Sequence, residues 1–362
     1  MVFLLLIAKL LFFVGYGGMA FFAIITKLNK DRDNSKINFI YALGMGPVIA
    51  TLLLYYLLLI IPHQQNWFYL LVITVFFTGL TLINKKSIPH FLKNISWTIS
   101  QFLNLIRLKK GLKHYFLQTN NIAIILLSPI IAYGCFNILL AQIPGHDVLE
   151  YLVQGEYFFN QKAIIYQSQN YNPVNGFYYV GLHGWSFPLQ TTLEKLFDAV
   201  TFYGYDLYFR TLTLWYGILI IAVVYYFTKK HTSLFFAIAA SLILVFTKGF
   251  FNAITSFHID SYRIFLFTLS IIFILKYIKT PHINTLILLS IFAGSSAFTH
   301  SLSVLVAIFI GLTLFLFYQE NFYNRLKSSI IYTFLILLFG GVHYIIDVFY
   351  GTGWIFNELD FY

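Results

Sequence analysis

Apolar stretches about as long as a bilayer is thick recur from residue 2 to residue 349 of this chain. A helix crossing the hydrocarbon needs about 20 such residues, because each advances it by about 1.5 Å. Stretches of this kind lie near 2–27, 38–61, 66–84, 120–143, 207–228, 233–250, 262–279, 283–298, 302–318 and 328–349. The segment 283–318 is too long for one span, and Gly294-Ser295-Ser296 followed by Thr299-His300-Ser301 marks a break that divides it in two. The sequence therefore predicts an all-α polytopic membrane protein with about ten transmembrane helices. Composition agrees: only 10% of the residues are charged, against roughly 25% in soluble domains. Residues 1–26 carry neither a basic leader nor a small-residue cleavage site, so they are read as a retained helix.

The charges that remain are ordered. Basic residues collect in alternate linkers: Lys27, Lys30, Arg32 and Lys36; Lys85, Lys86, Lys93, Arg107, Lys109, Lys110 and Lys113; Lys229 and Lys230; Lys276 and Lys279; Arg325 and Lys327. In a ten-span arrangement all of these fall on one side, which the positive-inside rule makes cytoplasmic. Both termini and residues 144–206 are then expected outside. The formal charge of +10 is thereby explained by membrane orientation, and nucleic acid is not expected as a partner. Three N-terminal spans occupy 1–86, and a basic amphipathic cytoplasmic segment follows at 87–119, suited to an anionic leaflet. The module 120–350 comes next, and 351–362 is an outer tail. The single cysteine, Cys135, can form no disulfide within the chain and is read as a small hydrophobe.

Residues 144–206 form the one long outer loop, and long loops in compact proteins tend to be functional. From Asp147 to Phe159 the residues Val148, Leu149, Leu152, Val153, Phe158 and Phe159 recur at helical spacing, with Asp147 at an N-cap-like position after Pro144-Gly145. Leu189, Leu193, Leu196 and Phe197 mark a second helix from about Pro188. Two amphipathic interfacial helices joined by the aromatic stretch "YNPVNGFYYVGLHGWSFP" are expected, with His183 in the joining loop. Asp147 and Glu150 are three residues apart and so share a helix face. A capping aspartate beside a solvated glutamate would look the same; their place at the mouth of a span is what makes them candidates.

Other polar residues are expected on the same side. "SFHIDSYRIFLFTLS" puts His258, Asp260 and Arg263 at a helix start, where Asp260 can simply cap and pair with Arg263. His300 sits among small residues, where a hydrogen bond to a neighbouring helix is the ordinary role. Arg210 begins another span and can either snorkel or grip a phosphate bidentately. Carboxylates, an arginine and histidines beneath an aromatic loop suit deprotonation of a hydroxyl and departure of a phosphate.

The motifs in this order resemble the GT-C superfamily of polytopic glycosyltransferases, in particular the branch of protein O-mannosyltransferases and aminoarabinose transferases. "PGHDVLEYLVQGEYF" is similar to the acidic motif of that family's first outer loop. "HGWSFPLQTTLEKLFDAVTFYGYDLYFRTLTLWYGILIIAVVYYFTKK" is like its proline-led second interfacial helix, next-span arginine and basic inner turn. "HIDSYRIFLFTLSI" resembles the acidic start of a later span. "LSIFAGSSAFTHSLSVLVAIF" is like a glycine-rich helix, with His300 where the family carries a polar residue or lysine. The resemblance covers about residues 120–350, a seven-helix module. Many relatives continue past the point corresponding to Tyr362, so a compact member, a truncated chain or a partner subunit are the alternatives.

What the resemblance implies is transfer of a sugar, with inversion, from a polyprenyl-phosphate or diphosphate donor to a hydroxyl of a glycolipid, polysaccharide or protein. The site would face outside the bacterial cytoplasmic membrane. Asp147 would act as general base and Glu150 would orient the acceptor or tune Asp147. Arg210, His258 and His300 would meet the carrier phosphate, with Asp260 positioning His258 or Arg263. His183 is a further substrate-binding candidate. No cofactor is required; some relatives use a divalent cation, for which His146, Asp147, His258 and Asp260 are the candidate ligands, though their spacing is not that of a strong metal motif. The rival classes are a transporter or flippase of a lipid-linked saccharide, a catalytically silent assembly subunit, and a polysaccharide ligase or polymerase.

Overall fold

Helices account for nearly every described residue, and no strand occurs among them. The computed structural model describes residues 2–29, 35–107, 128, 131–138, 146–164, 185–201, 207–255, 257–316 and 321–349. Six helices are long and apolar enough to cross a membrane, or seven if one bent pair counts as a single span. The protein is thus a helical integral membrane protein. The long apolar helices are α1 (Val2–Leu28), α2 (Ser35–Ile60) and α3 (Asn66–Ile83). A short turn leads to the amphipathic α4 (Ile88–Arg107), within the basic segment. Of the span expected near 120–143, the helical stretch 131–138 and Ser128 are described and the rest lies outside the described residues. Cys135 is exposed there rather than buried, so its sulfur faces the surroundings of the helix and not a core.

The interfacial helices are α5 (His146–Gln161) and α6 (Ser186–Thr201). Then come α7 (Leu207–His231), α8 (Leu234–Phe246), α9 (Lys248–Thr255), α10 (Asp260–Lys279), α11 (Ile283–Thr299) and α12 (Ser301–Leu316). The last are α13 (Phe322–Ile336) and, after a π-helical turn at Leu337–Gly341, α14 (Val342–Phe349). The segment expected as a span near 233–250 is a bent pair of helices: α8 and α9 meet at 69° at Thr247. The apolar run hid this break because no proline marks it. The break in 283–318 does fall where small polar residues predicted it, with His300 extended between α11 and α12. Both of those helices are shorter than an ordinary span.

The chain divides into two compact units. The first comprises Met1–Ile49, Val72–Val148 and Tyr203–Phe265. In it α1 and α2 touch backbone to backbone at Gly46, where a Cβ would lie 2.3 Å from the Phe13 carbonyl oxygen and 2.6 Å from the Gly18 nitrogen. Small residues permit this approach, which suits a bilayer because lipid gives apolar helices no reason to associate except close packing and hydrogen bonds. Tyr216 on α7 donates its hydroxyl to the Gly44 carbonyl at 3.1 Å. Tyr133 of the 131–138 stretch stacks on Phe251 at 5.4 Å.

The second unit comprises Ala50–Leu71, Leu149–Phe202 and Leu266–Tyr362. Its hub is α11, buried along most of its length, with α12 and α13 packed on it. The π turn at Leu337–Gly341 releases a carbonyl that the Tyr56 hydroxyl satisfies at 2.5 Å. Buried in lipid or protein, that carbonyl would otherwise cost several kcal/mol. Tyr332 donates to the Ala307 carbonyl at 3.0 Å and Tyr344 to that of Ala297 at 2.7 Å, so aromatic hydroxyls tie the bundle together.

Candidate functional site

Four polar residues of the first unit meet where α10 begins. Between α9 and α10 stands Phe257, a buried bulky residue with φ of 60°. This left-handed conformation is rare for such a side chain and strained. It brings His258 and Asp260 to the end of α10. Asp260, the first residue of that helix, has His258 Nδ1 2.9 Å from one carboxylate oxygen, within ion-pair distance, and Arg263 Nη2 2.5 Å from the other. All three side chains are about a quarter exposed. The carboxylate also lies where the helix dipole favours negative charge. With Nδ1 turned to the carboxylate, the imidazole presents Nε2 away from Asp260.

Arg210, in the first turn of α7, places its guanidinium carbon 5.3 Å from the centre of the Phe257 ring. Four of the predicted residues, Arg210, His258, Asp260 and Arg263, therefore surround one loop. Two arginines against one carboxylate leave the group cationic whatever the state of the histidine, which suits an anion. Beneath it lies a buried tyrosine layer: Tyr216 packs against Tyr262 at 4.6 Å and Tyr208 against Phe13 at 5.3 Å. One turn before Phe13 stands Lys9, only 3% exposed and within a membrane span. A lysine inside an apolar run is itself a functional signal, legible in the sequence.

The acidic pair of α5 is located by backbone only. The helix begins at His146, so Asp147 stands in its first turn rather than at the N-cap, and Asp147 and Glu150 keep their i, i+3 relation. The side chains of His146, Asp147 and Glu150 lie outside the described ones, and His183 lies outside the described residues altogether. His300 belongs to the second unit, where it is buried and its Nδ1 accepts the Leu302 backbone N–H at 3.0 Å. It caps α12, a role any Asn or Ser could take.

The second unit holds polar groups that the sequence did not single out. Helices α5 and α6 pack through Gly155, where a Cβ would fall 2.5 Å from the Thr191 Cβ and 2.6 Å from the Pro188 carbonyl oxygen. Thr192 Oγ1 lies 3.0 Å from the carbonyl oxygens of both Gly155 and Pro188, and Lys195 pairs with Glu156 at 2.9 Å. At the start of α6, Trp185 stacks on Phe158 at 4.6 Å and meets the buried His343 edge-on at 5.0 Å. Leu189, Leu193 and Leu196 are fully buried, as their spacing predicted. The unexpected feature is that the polar residues of α6 are buried too: Gln190 is 0%, Glu194 2% and Asp198 4% exposed. Their i, i+4 spacing was legible, but not that a polar face would be covered.

The exit of α5 is clasped. His63 and Lys162 both adopt left-handed backbone conformations, and His63 N–H donates to the Lys162 carbonyl at 2.8 Å. The Tyr69 hydroxyl lies 3.3 Å from the same oxygen. Lys162 Nζ sits 3.3 Å from the Phe159 ring centre, and partial burial lowers its ammonium to a pKa of about 8. Among the described residues no group of three or more His, Cys, Asp or Glu side chains converges as a metal site. No family model matches the chain, no curated protein matches it, and no solved structure does either.

Proposed function

We propose that the chain is a membrane glycosyltransferase of GT-C type, moving a sugar from a polyprenyl-phosphate-linked donor to a hydroxyl acceptor on the outer face of a bacterial cytoplasmic membrane. The observation that carries this reading is the gathering of Arg210, His258, Asp260 and Arg263 around Phe257 in an integral membrane protein. In the proposed reaction the Asp147 carboxylate takes the proton of the acceptor hydroxyl while that oxygen attacks the anomeric carbon. The bond from that carbon to the phosphate oxygen breaks with its electron pair, and the carrier leaves as a phosphate anion. Arg210 supplies positive charge to that anion, and His258, held beside Asp260, donates to it from Nε2 in its protonated form. Glu150 orients the acceptor. The wider proposal keeps ten spans, basic loops inside and both termini outside. It requires no cofactor, with a divalent cation testable by chelation, and leaves acceptor recognition to this chain or a partner subunit.

The test is direct. Purified protein in lipid nanodiscs is incubated with polyprenyl-phosphate-linked sugars, and released carrier phosphate is followed. No release with any donor and acceptor pair tried would count against the reading. A transporter or flippase is the second reading, favoured by the 69° break between α8 and α9, since transporters build sites from discontinuous helices. Movement of intact lipid-linked saccharide across proteoliposomes, without release of carrier phosphate, would select it.

A further inference from the structure

Helix α4 is held against the ends of α1 and α2 by contacts that leave its charges outside. Phe91 is buried against Phe22 of α1 at 5.5 Å and Phe39 of α2 at 5.1 Å. Asn94, also buried, donates from its carboxamide to the Ser35 hydroxyl at 3.1 Å. Just before α4, Asn84 donates to the Thr26 hydroxyl at 3.1 Å, and Asn29 ties α1 to α2 by donating to Asn38 at 3.0 Å. Every residue of this joint belongs to the first unit.

Lysines stand next to these joint residues. Lys27 follows Thr26, Lys36 follows Ser35, Lys85 and Lys86 follow Asn84, and Lys93 precedes Asn94. All five are exposed. Lys36 lies over the Trp97 ring at 4.0 Å, which carries charge from α2 onto α4. The sequence around them does not neutralise them, since no Asp or Glu occurs between Asp33 and Asp147. Asp31 and Asp33 alternate with Lys30 and Arg32, outside the described residues. Beside the charges α4 keeps an apolar stripe open: Ile88, Leu92, Ile95 and Ile99 recur at helical spacing, and Leu92 and Ile99 are 54% and 52% exposed. In water such a stripe would be a cost. In the headgroup layer it enters the acyl boundary while neighbouring ammonium groups meet lipid phosphates.

We propose that the joint of α1, α2 and α4 is an anionic-phospholipid site, in which Lys27, Lys36, Lys85, Lys86 and Lys93 grip headgroup phosphates and Leu92 and Ile99 enter the acyl layer. Sequence alone put a basic segment at a leaflet; the structure adds that α1 and α2 supply two of the lysines, so that one site is assembled from separate elements. It stands apart from the transferase reading, and its test leaves that reading untouched. The full chain in neutral detergent is given equal amounts of phosphatidylglycerol and phosphatidylcholine, and the retained lipids are counted by native mass spectrometry. Wild-type protein is expected to retain phosphatidylglycerol about tenfold over phosphatidylcholine. Lys86→Gln combined with Lys93→Gln should lower that preference to about twofold, with the thermal unfolding midpoint unchanged because both side chains are exposed. Lys279→Gln combined with Lys327→Gln removes the same charge from exposed positions elsewhere and should keep the preference. Equal retention of the two lipids by wild type, a full preference in the first variant, or an equal loss in the second overturns the site. Displacement of the lipid by an equal concentration of inorganic phosphate overturns a lipid as its occupant, since the apolar stripe would then contribute nothing.

Discussion

The start of α10 and the face of α6 handle polarity in opposite ways. At α10 the charges are paired within a few residues of one another, Asp260 with His258 and Arg263, and remain about a quarter exposed. Such a group can form in almost any helix start, and its pairing costs little because water still screens it. On α6 the polar groups are sealed in by the fold, and a serine hydroxyl is left without any partner. The lesson is that proximity in sequence marks the first arrangement, whereas only burial by the fold marks the second. A chain that buries an unpartnered serine hydroxyl on a helix accepts a cost.

The largest expected effect tests the acid ahead of both regions. Asp147→Asn should lower transfer by about 10²–10⁴-fold if Asp147 is the general base. Carrier phosphate release measures it, and wild-type turnover in that variant removes the assignment. Next, the α5–α6 contact should prove intolerant of bulk. Gly155→Leu forces a side chain into Thr191 and the Pro188 carbonyl, and should destabilise by about 1–3 kcal/mol. Thermal unfolding in detergent would show it, and an unchanged midpoint would mean the two helices are not locked as described.

A smaller effect concerns pH at the exit of α5. The folded Lys162 ammonium loses its proton near pH 8, against about 10.4 for an unfolded lysine. Below pH 8 both states are charged, and the cost of partly burying that charge is fully present. Between about pH 8 and 10.4 the unfolded chain binds more protons, so stability rises with pH, and above that window the cost is gone. Lys162→Met should flatten this rise, read as unfolding midpoint against pH. The smallest effect belongs to the exposed cluster. Arg263→Ala should change stability by only about 0.2–1 kcal/mol, because it removes a partly solvated i, i+3 pair. A larger loss would show that the α10 group is structural in the way α6 is, and the contrast between the two regions would fail.

Much of the fold was legible because hydropathy and helical period are local properties. The spans α1 to α3, α7 and α10 begin and end within a few residues of their apolar runs. The amphipathic α5 and α6 follow the spacing of Leu152, Phe158, Leu189 and Leu193, and the break at His300 follows its small polar neighbours. Of the candidate residues, the pairing of Asp260 with Arg263 was readable at i, i+3. The approach of Arg210 to Phe257 was not, since 47 positions separate them. Lys9 was a visible lysine in an apolar run, yet its burial depends on residues far along the chain.

By itself the sequence determined that this is a helical membrane protein, which segments are helices and which of their faces are apolar, because each of those depends on neighbours three or four residues away. Only the tertiary structure decided that α8 and α9 bend apart at Thr247. It alone decided that Phe257 meets Arg210 and that the polar face of α6 is covered. The physical reason is that a helix carries its own hydrogen bonds wherever it goes, whereas burial is conferred by whatever packs against it.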